Sequence, residues 1–186
     1  DEYHNVSTTD KDAVLELAKK LEIDGIVAYA SDPAAPTAAY VAEKMGLPGN
    51  PYDSVLILAR KDLFRAFLKD NGFNVPKSES FYSLLDAKVW LDKISVPAFI
   101  KPVDSSGSKG VTEIHDKNQL EDAFNYALNF SREKKVVVEE KIVKQGYQVA
   151  GDGFIVDGEL AFRCWADEHF DKLCNGLVPI GQTGWS

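Results

Sequence analysis

With 186 residues, 45% of them apolar, the chain is long enough to bury one substantial core or two small ones, and its composition is that of a protein that folds. A formal net charge of −8 without long like-charge blocks leaves no electrostatic footprint for nucleic acid or an anionic membrane. No apolar run approaches the roughly 18 residues of a membrane span, and no charged-then-apolar leader opens the chain, so a soluble cytoplasmic protein is expected.

Cys164 and Cys174 fit neither zinc-ligand nor C-x-x-C spacing and read as reduced, incidental thiols. His4, His115 and His169 are scattered and form no His-rich metal pattern. The chain begins at Asp1 without a methionine, as a piece of a longer protein would.

After a polar start, Asp10 or Thr9 is placed to cap a helix whose apolar residues Val14, Leu15, Leu17, Ala18 and Leu21 recur at helical spacing. Gly25-Ile26-Val27-Ala28-Tyr29-Ala30 is a continuous apolar run bounded by Asp24 and Ser31-Asp32-Pro33, which predicts a strand buried on both faces. A helix over 34–45 should end at Gly46, a helix-terminating position. Helix, buried strand, helix is the pattern of a parallel α/β sheet. Asp53 can cap one further helix with Leu56, Ala59, Leu63 and Phe67 on its buried stripe; Lys61 and Arg65 then fall on a solvated face, and Gly72 terminates the helix.

A helical pattern over 83–94 precedes the stretch that dominates the sequence, Pro97-Ala98-Phe99-Ile100-Lys101-Pro102 followed by Val103-Asp104-Ser105-Ser106-Gly107-Ser108-Lys109-Gly110-Val111. A short apolar strand delivers a lysine, then opens into serines, glycines and a second lysine. Glycines can turn backbone N–H groups toward an anion, serines add hydroxyl donors, and lysines add charge, so the loop suits a polyphosphate; a solvated Ser/Gly turn is the alternative on this segment alone. It is not a P-loop, since Ser108 follows Gly107 and Val111 follows Gly110, nor a G-x-G-x-x-G dinucleotide turn. Val111 to Ile114 alternates and reads as the return strand, making the loop a flap between two strands.

Asp116 should cap a helix carrying Leu120, Ala123, Phe124, Ala127 and Leu128. Residues 136–142 form the next strand, with Glu139 and Glu140 where its apolar run stops. Two more strands, over 146–155 and 159–165, are joined at Asp157-Gly158, a strong hairpin signal. Leu177-Val178-Pro179-Ile180-Gly181 is apolar but broken by proline and is left unassigned.

In combination these segments resemble the ATP-grasp superfamily of carboxylate–amine ligases, in the branch of carbamoyl phosphate synthetase, phosphoribosylglycinamide synthetase and the amino-acid ligases. The resemblance is carried by Asp24-Gly25-Ile26-Val27 through Leu47-Pro48-Gly49, Arg60-Lys61-Asp62, Gly72-Phe73-Asn74-Val75-Pro76, Ile100-Lys101-Pro102 with its loop, Val138-Glu139-Glu140-Lys141-Ile142, Gly146 and the Asp157-Gly158 hairpin. Each is weak alone, and their order and spacing are what is specific.

The resemblance implies an α/β (α+β) ATP-grasp fragment. It divides the chain into the end of a parallel-sheet domain (1–52), a linking helix (53–75), a small ATP-binding subdomain with the phosphate loop (76–142) and the first strands of a large subdomain (143–186). It also implies that Lys61 and Lys101 hold ATP phosphates, that Ser105, Ser106, Gly107, Ser108 and Gly110 close over them, and that Glu139, Glu140, Lys141 and Ile142 run past the adenine edge. Gln148 stands where the family usually has a glutamate that accepts ribose hydroxyls. Its amide oxygen can still accept, without charge assistance, at roughly half the strength per bond.

The family's magnesium-binding acids are expected beyond Ser186, so no metal ligand or catalytic residue is assigned in this chain, and turnover is not expected of it alone. The implied function is the ATP-binding portion of an ATP-dependent ligase that joins a small-molecule carboxylate to an amine through an acyl phosphate, with Mg²⁺ accompanying ATP. A non-catalytic nucleotide-binding or regulatory module, favoured by Gln148, is the alternative, and a ligand-free interaction domain the third reading. Sheets cut short are expected to promote self-association or strand exchange between copies.

Overall fold

A computed structural model of the chain describes residues 2–171, 173 and 179–184, in two units that divide between Lys141 and Ile142. The first unit begins with α1 (Lys11–Lys20), capped by the Asp10 carboxylate on the Ala13 N–H at 3.1 Å. A short 3₁₀ turn (Asp32–Ala34) leads into α2 (Ala35–Met45), which closes at left-handed Gly46 (φ 68°). Leu15 and Ala18 of α1 and Val41 of α2 form a small buried core, against which Ile23 and Ile26 pack.

The buried strand predicted over 25–30 does not form. The segment is irregular, with Val27 81% and Tyr29 89% exposed. A strand buried on both faces needs hydrogen-bonded neighbours and cover, and no strand among the described residues pairs with it. Only Ile26 of this run is used, as packing for α1 and α2.

The single helix expected from Asp53 is two helices, α3 (Tyr52–Ala59) and α4 (Lys61–Asp70), with Pro51 at the cap of α3 and Asp53 in its first turn. The break is at Arg60, whose backbone is extended (φ −103°, ψ 117°). The new helix start leaves orphan N–H groups, and that of Lys61 donates to the Val103 carbonyl at 2.9 Å. Gly72 follows the end of α4 at positive φ, 77°.

Four antiparallel strands follow in the spatial order β1-β4-β2-β3: β1 (Ser78–Phe81), β2 (Ala98–Pro102), β3 (Thr112–Ile114) and β4 (Val136–Glu140). Two helices, α5 (Leu84–Leu91), capped by Ser83, and α6 (Leu120–Phe130), cover one face. The 3₁₀ turn ahead of α6 begins in a capping box between Asp116 and Gln119. The core packs Ala98, Ile100, Ile114, Val136 and Val138 of the sheet against Leu91 of α5 and Leu120 and Phe124 of α6. The α/β (α+β) class expected from the sequence is thus present in this antiparallel sheet and its helices, while residues 1–52, expected to end a parallel sheet, contribute no strand among the described residues. β1, polar and four residues long, was not legible in the sequence.

The second unit is an antiparallel sheet of β5 (Gln148–Val156), β6 (Glu159–Phe170) and β7 (Pro179–Gly184). The β5–β6 turn has Asp157 and Gly158 both at positive φ, 51° and 83°, as the hairpin signal required. β6 runs five residues past its expected end, and Pro179 opens β7, where a missing N–H is tolerated. Val178 and Leu177 lie outside the described residues, as does Cys174, while Cys164 is a free, exposed thiol. No described helix is long and apolar enough to cross a membrane.

Phe124 is 1% exposed in the centre of the first unit's core. Phe124→Ala is expected to destabilise that unit by about 3–5 kcal/mol through lost burial and a residual cavity, read as a lower urea midpoint.

Candidate functional site

Strand pairing decides which side chains meet. In the β2–β4 ladder Phe99 faces Glu139 and Lys101 faces Val137, while Ala98, Ile100 and Val138 point to the core. Side chains alternate along a strand, so Lys101, Phe99 and Glu139 share the face away from α5 and α6. On that face Lys101 Nζ lies 2.5 Å from Glu139 Oε1, and Arg65 of α4 places Nε 2.7 Å from Glu139 Oε2. The Lys101 ammonium also stands 5.0 Å from the Phe99 ring centroid. Arg65 therefore does not lie on the solvated face expected of it.

Lys61, the first residue of α4, donates from Nζ to the Ser105 carbonyl at 2.6 Å. It thus reaches the base of the β2–β3 loop. Burial, with the facing Lys101 charge adding to it, pulls the Lys61 ammonium down to about 8, against support from Asp104 and Glu139. Burial alone would raise the Glu139 carboxyl, but the Arg65 hydrogen bond and the Lys101 charge outweigh it and hold the group below its ordinary value.

The loop between β2 and β3 is held at its start by the chain that follows α6 and lies at its end against Phe130, the last residue of α6. At its start, buried Asp104 accepts from Ser131 Oγ at 2.9 Å and from the Arg132 and Glu133 N–H groups at 3.0 Å each. Arg132 donates in return to the Asp104 carbonyl. At its end Gly110 has φ +74°, and a Cβ there would lie 2.9 Å from Phe130 Cβ and 3.1 Å from Pro102 Cγ. Between the anchors, Ser105 Oγ donates to the Lys109 carbonyl at 3.1 Å, and Gly107 and Ser108 have positive φ. Runs of such backbone turn N–H groups toward a common point, the concavity that holds anions.

A second ionic network fixes α4 against the same segment. Arg60 makes a two-point bond to Asp62, Nε to Oδ1 at 3.0 Å and Nη2 to Oδ2 at 2.9 Å, and Lys135 Nζ reaches Asp62 Oδ2 at 3.0 Å. Burial would raise the Asp62 carboxyl, but these bonds outweigh it and lower it. Beside the loop start lies a cleft of about 200 Å³ whose lining includes Lys11, Thr37, Tyr52, Arg60, Ser106 and Arg132.

The sequence-assigned residues divide as follows. Lys61, Lys101, Glu139 and the loop with Ser105, Ser106, Gly107, Ser108 and Gly110 belong to the first unit and gather around one sheet face and one loop. Glu140 and Lys141 are committed locally: Glu140 Oε1 accepts from the Lys77 N–H at 2.8 Å, Lys141 Nζ pairs with Glu113 at 2.6 Å, and the Lys141 N–H donates to the Pro97 carbonyl. Ile142 and Gln148 belong to the second unit, where the Gln148 amide donates to Glu168 at 2.7 Å. Sequence reasoning missed the Arg65–Glu139 pair and the Asp104 anchor. Their partners lie 74 and roughly 28 residues apart in the chain, beyond any local pattern.

Among known proteins, the family described as "D-ala D-ala ligase C-terminus" matches residues 69–154. A phosphoribosylamine–glycine ligase of Listeria monocytogenes is 26% identical over 164 residues, covering 87% of this chain and 37% of that protein. A D-alanine–D-alanine ligase of Acetivibrio thermocellus is 34% identical over 105 residues, covering 56% of this chain and 22% of that protein. The crystal structure of an L-amino acid ligase from Bacillus licheniformis superposes with a TM-score of 0.65 at 26% identity, over 87% of this chain and 36% of that one. The chain therefore spans little more than a third, at most, of these relatives.

Two substitutions test the anchoring. Gly110→Ala is expected to cost about 1–3 kcal/mol, from strained backbone and the clash with Phe130, in a denaturant titration. Asp62→Asn removes the shared counter-charge of Arg60 and Lys135 and is expected to destabilise the protein at pH 7. Because the folded Asp62 pKa is depressed, its stabilisation is present above the ordinary value of 3.8 and is lost as the pH falls through the lower folded value. The gap between wild type and Asp62→Asn in unfolding experiments should accordingly close below about pH 3.8.

Proposed function

The chain is a relative of the ATP-grasp ligases, and on that premise we propose that it is the ATP-binding portion of an ATP-dependent carboxylate–amine ligase. The observation that carries this reading is that Lys61 reaches the base of a loop turned by Gly107 and Gly110 while Lys101, bound to Glu139, stands near enough for its charge to oppose that of Lys61. Two ammonium groups offset phosphate charge, and backbone N–H groups and serine hydroxyls of 105–110 supply further donors. The loop, fixed at Asp104 and Gly110, closes over the phosphates and excludes water.

In this reading an oxygen of the substrate carboxylate attacks the γ-phosphorus, ADP leaves, and an acyl phosphate forms. The amine nitrogen then attacks the acyl carbon and phosphate leaves. Lys61 and Lys101 stabilise the charge that develops on the transferred phosphoryl group. In this reading the carboxylate-bearing substrate enters the cleft beside Ser106, whose lining carries Lys11, Arg60 and Arg132 together with Asp32, Asp104 and Glu133. The adenine edge, in the same reading, meets the main chain of 139–142, where the Lys141 N–H also donates to the Pro97 carbonyl. The same reading places the protein and its small-molecule substrates in the cytoplasm.

This reading assigns no magnesium ligand in the chain: among the described residues no three His, Cys, Asp or Glu side chains cluster to hold a metal ion, and both oxygens of Glu139 are taken by cations. Magnesium enters only as the companion ion of the nucleotide.

A non-catalytic nucleotide-binding module is the second reading. Gln148 favours it, since its amide is engaged with Glu168 and brings no charge of its own to a ribose.

Calorimetric titration with ATP and magnesium tests the first reading. The wild-type chain should bind saturably, and Lys101→Ala should weaken binding at least about tenfold, or about 1.4 kcal/mol. A folded wild type that takes up no nucleotide, or a Lys101→Ala variant that binds equally well, contradicts it.

A further inference from the structure

Glu139 is a carboxylate only 5% exposed, with a separate cation on each oxygen. Burying a carboxylate is costly unless it is paired, and Lys101 alone would pair it. The second bond, from Arg65, has a different consequence. A carboxylate held at one oxygen can rotate, whereas one held at both presents Oε1, and so the ammonium bound to it, in one place. Arg65 reaches it from α4, the helix that begins with Lys61, so this contact ties that helix to β4, the strand paired with the one carrying Lys101.

The charges facing Lys61 come from every element packed around it. Lys101 on β2 and Arg132 after α6 oppose its charge, and Asp104 in the loop and Glu139 on β4 support it. Asp104 is already committed to Ser131 and two backbone N–H groups. Glu139 is the supporting anion that also touches Lys101.

We propose that Glu139, clamped by Arg65, is a positioning residue of the anion site: it fixes the Lys101 ammonium on the sheet face and supplies the counter-charge shared by Lys101 and Lys61. The proposal rests on the reading of these lysines as phosphate-holding. It predicts a pH signature, because an ammonium that loses a nearby carboxylate gives up its proton more readily. With Lys61 at about 8, removal of the Glu139 charge moves its titration toward neutral pH.

The test has two arms. In the ligand-free protein, the Lys61 side-chain signal is followed by NMR from pH 6 to 10. Its midpoint should fall by about half a unit to one unit in Glu139→Gln. In calorimetry with ATP and magnesium, Glu139→Gln should bind about three- to tenfold more weakly at pH 8 and with a smaller deficit at pH 6.5, where Lys61 is protonated in both proteins. Arg65→Gln keeps the Glu139 charge but releases the clamp, so it should weaken nucleotide binding by a similar factor at both pH values.

A Lys61 midpoint unmoved by Glu139→Gln overturns the shared counter-charge. If that variant does not fold, Arg65→Gln decides, and nucleotide affinity equal to wild type overturns the positioning role. A wild type that gives the Lys61 shift yet binds no nucleotide sinks the phosphate reading instead, which separates the two failures.

Discussion

The antiparallel register that sets Phe99 opposite Glu139 governs the first unit. It sends Ala98, Ile100, Val136 and Val138 into the core under α5 and α6 and leaves Lys101 and Glu139 together on the other face. A slip of one residue would bury the lysine and the glutamate among leucines and phenylalanines and expose the valines. The hydrophobic face thereby fixes the position of the charges, since packing energy resists any other register.

The charged face is in turn coupled to the helices and the loop. Arg65 ties α4 to β4, Lys61 ties the start of α4 to the loop base, and Asp62 ties the same helix turn to Lys135. Asp104 holds the start of the loop on the segment after α6, Gly110 lies against Phe130 at the end of α6, and Ser105 is held through Lys61 and the Lys109 carbonyl. The electrostatic cost is visible in Lys61, whose burial opposes its own charge.

Local signals carried much of the fold. Caps at Asp10 and Asp116, the terminating Gly46, the valine run of β4 and the Asp157-Gly158 turn all depend on neighbours in sequence, and each forms where its chemistry requires. The features that escaped depend on distant partners. β1, Ser-Glu-Ser-Phe, is a strand only because β4 offers it an edge, and residues 25–30 are not a strand because nothing described offers them one. The helix break at Arg60 is stabilised by Val103, far along the chain. In the candidate site the lysines and the glycine loop could be read from composition and order, whereas the clamp of Arg65 on Glu139 exists only once the sheet is assembled.

On the proposed reading, this sheet face and loop hold the phosphates of ATP. A crystal structure of the protein with a non-hydrolysable ATP analogue tests it most directly. Terminal phosphates are expected within hydrogen-bonding distance of Lys61 Nζ and Lys101 Nζ, with loop N–H groups of 105–110 on the same oxygens and Glu139 still bound to Arg65. Phosphates seated elsewhere, with both lysines still turned to protein partners, would contradict it.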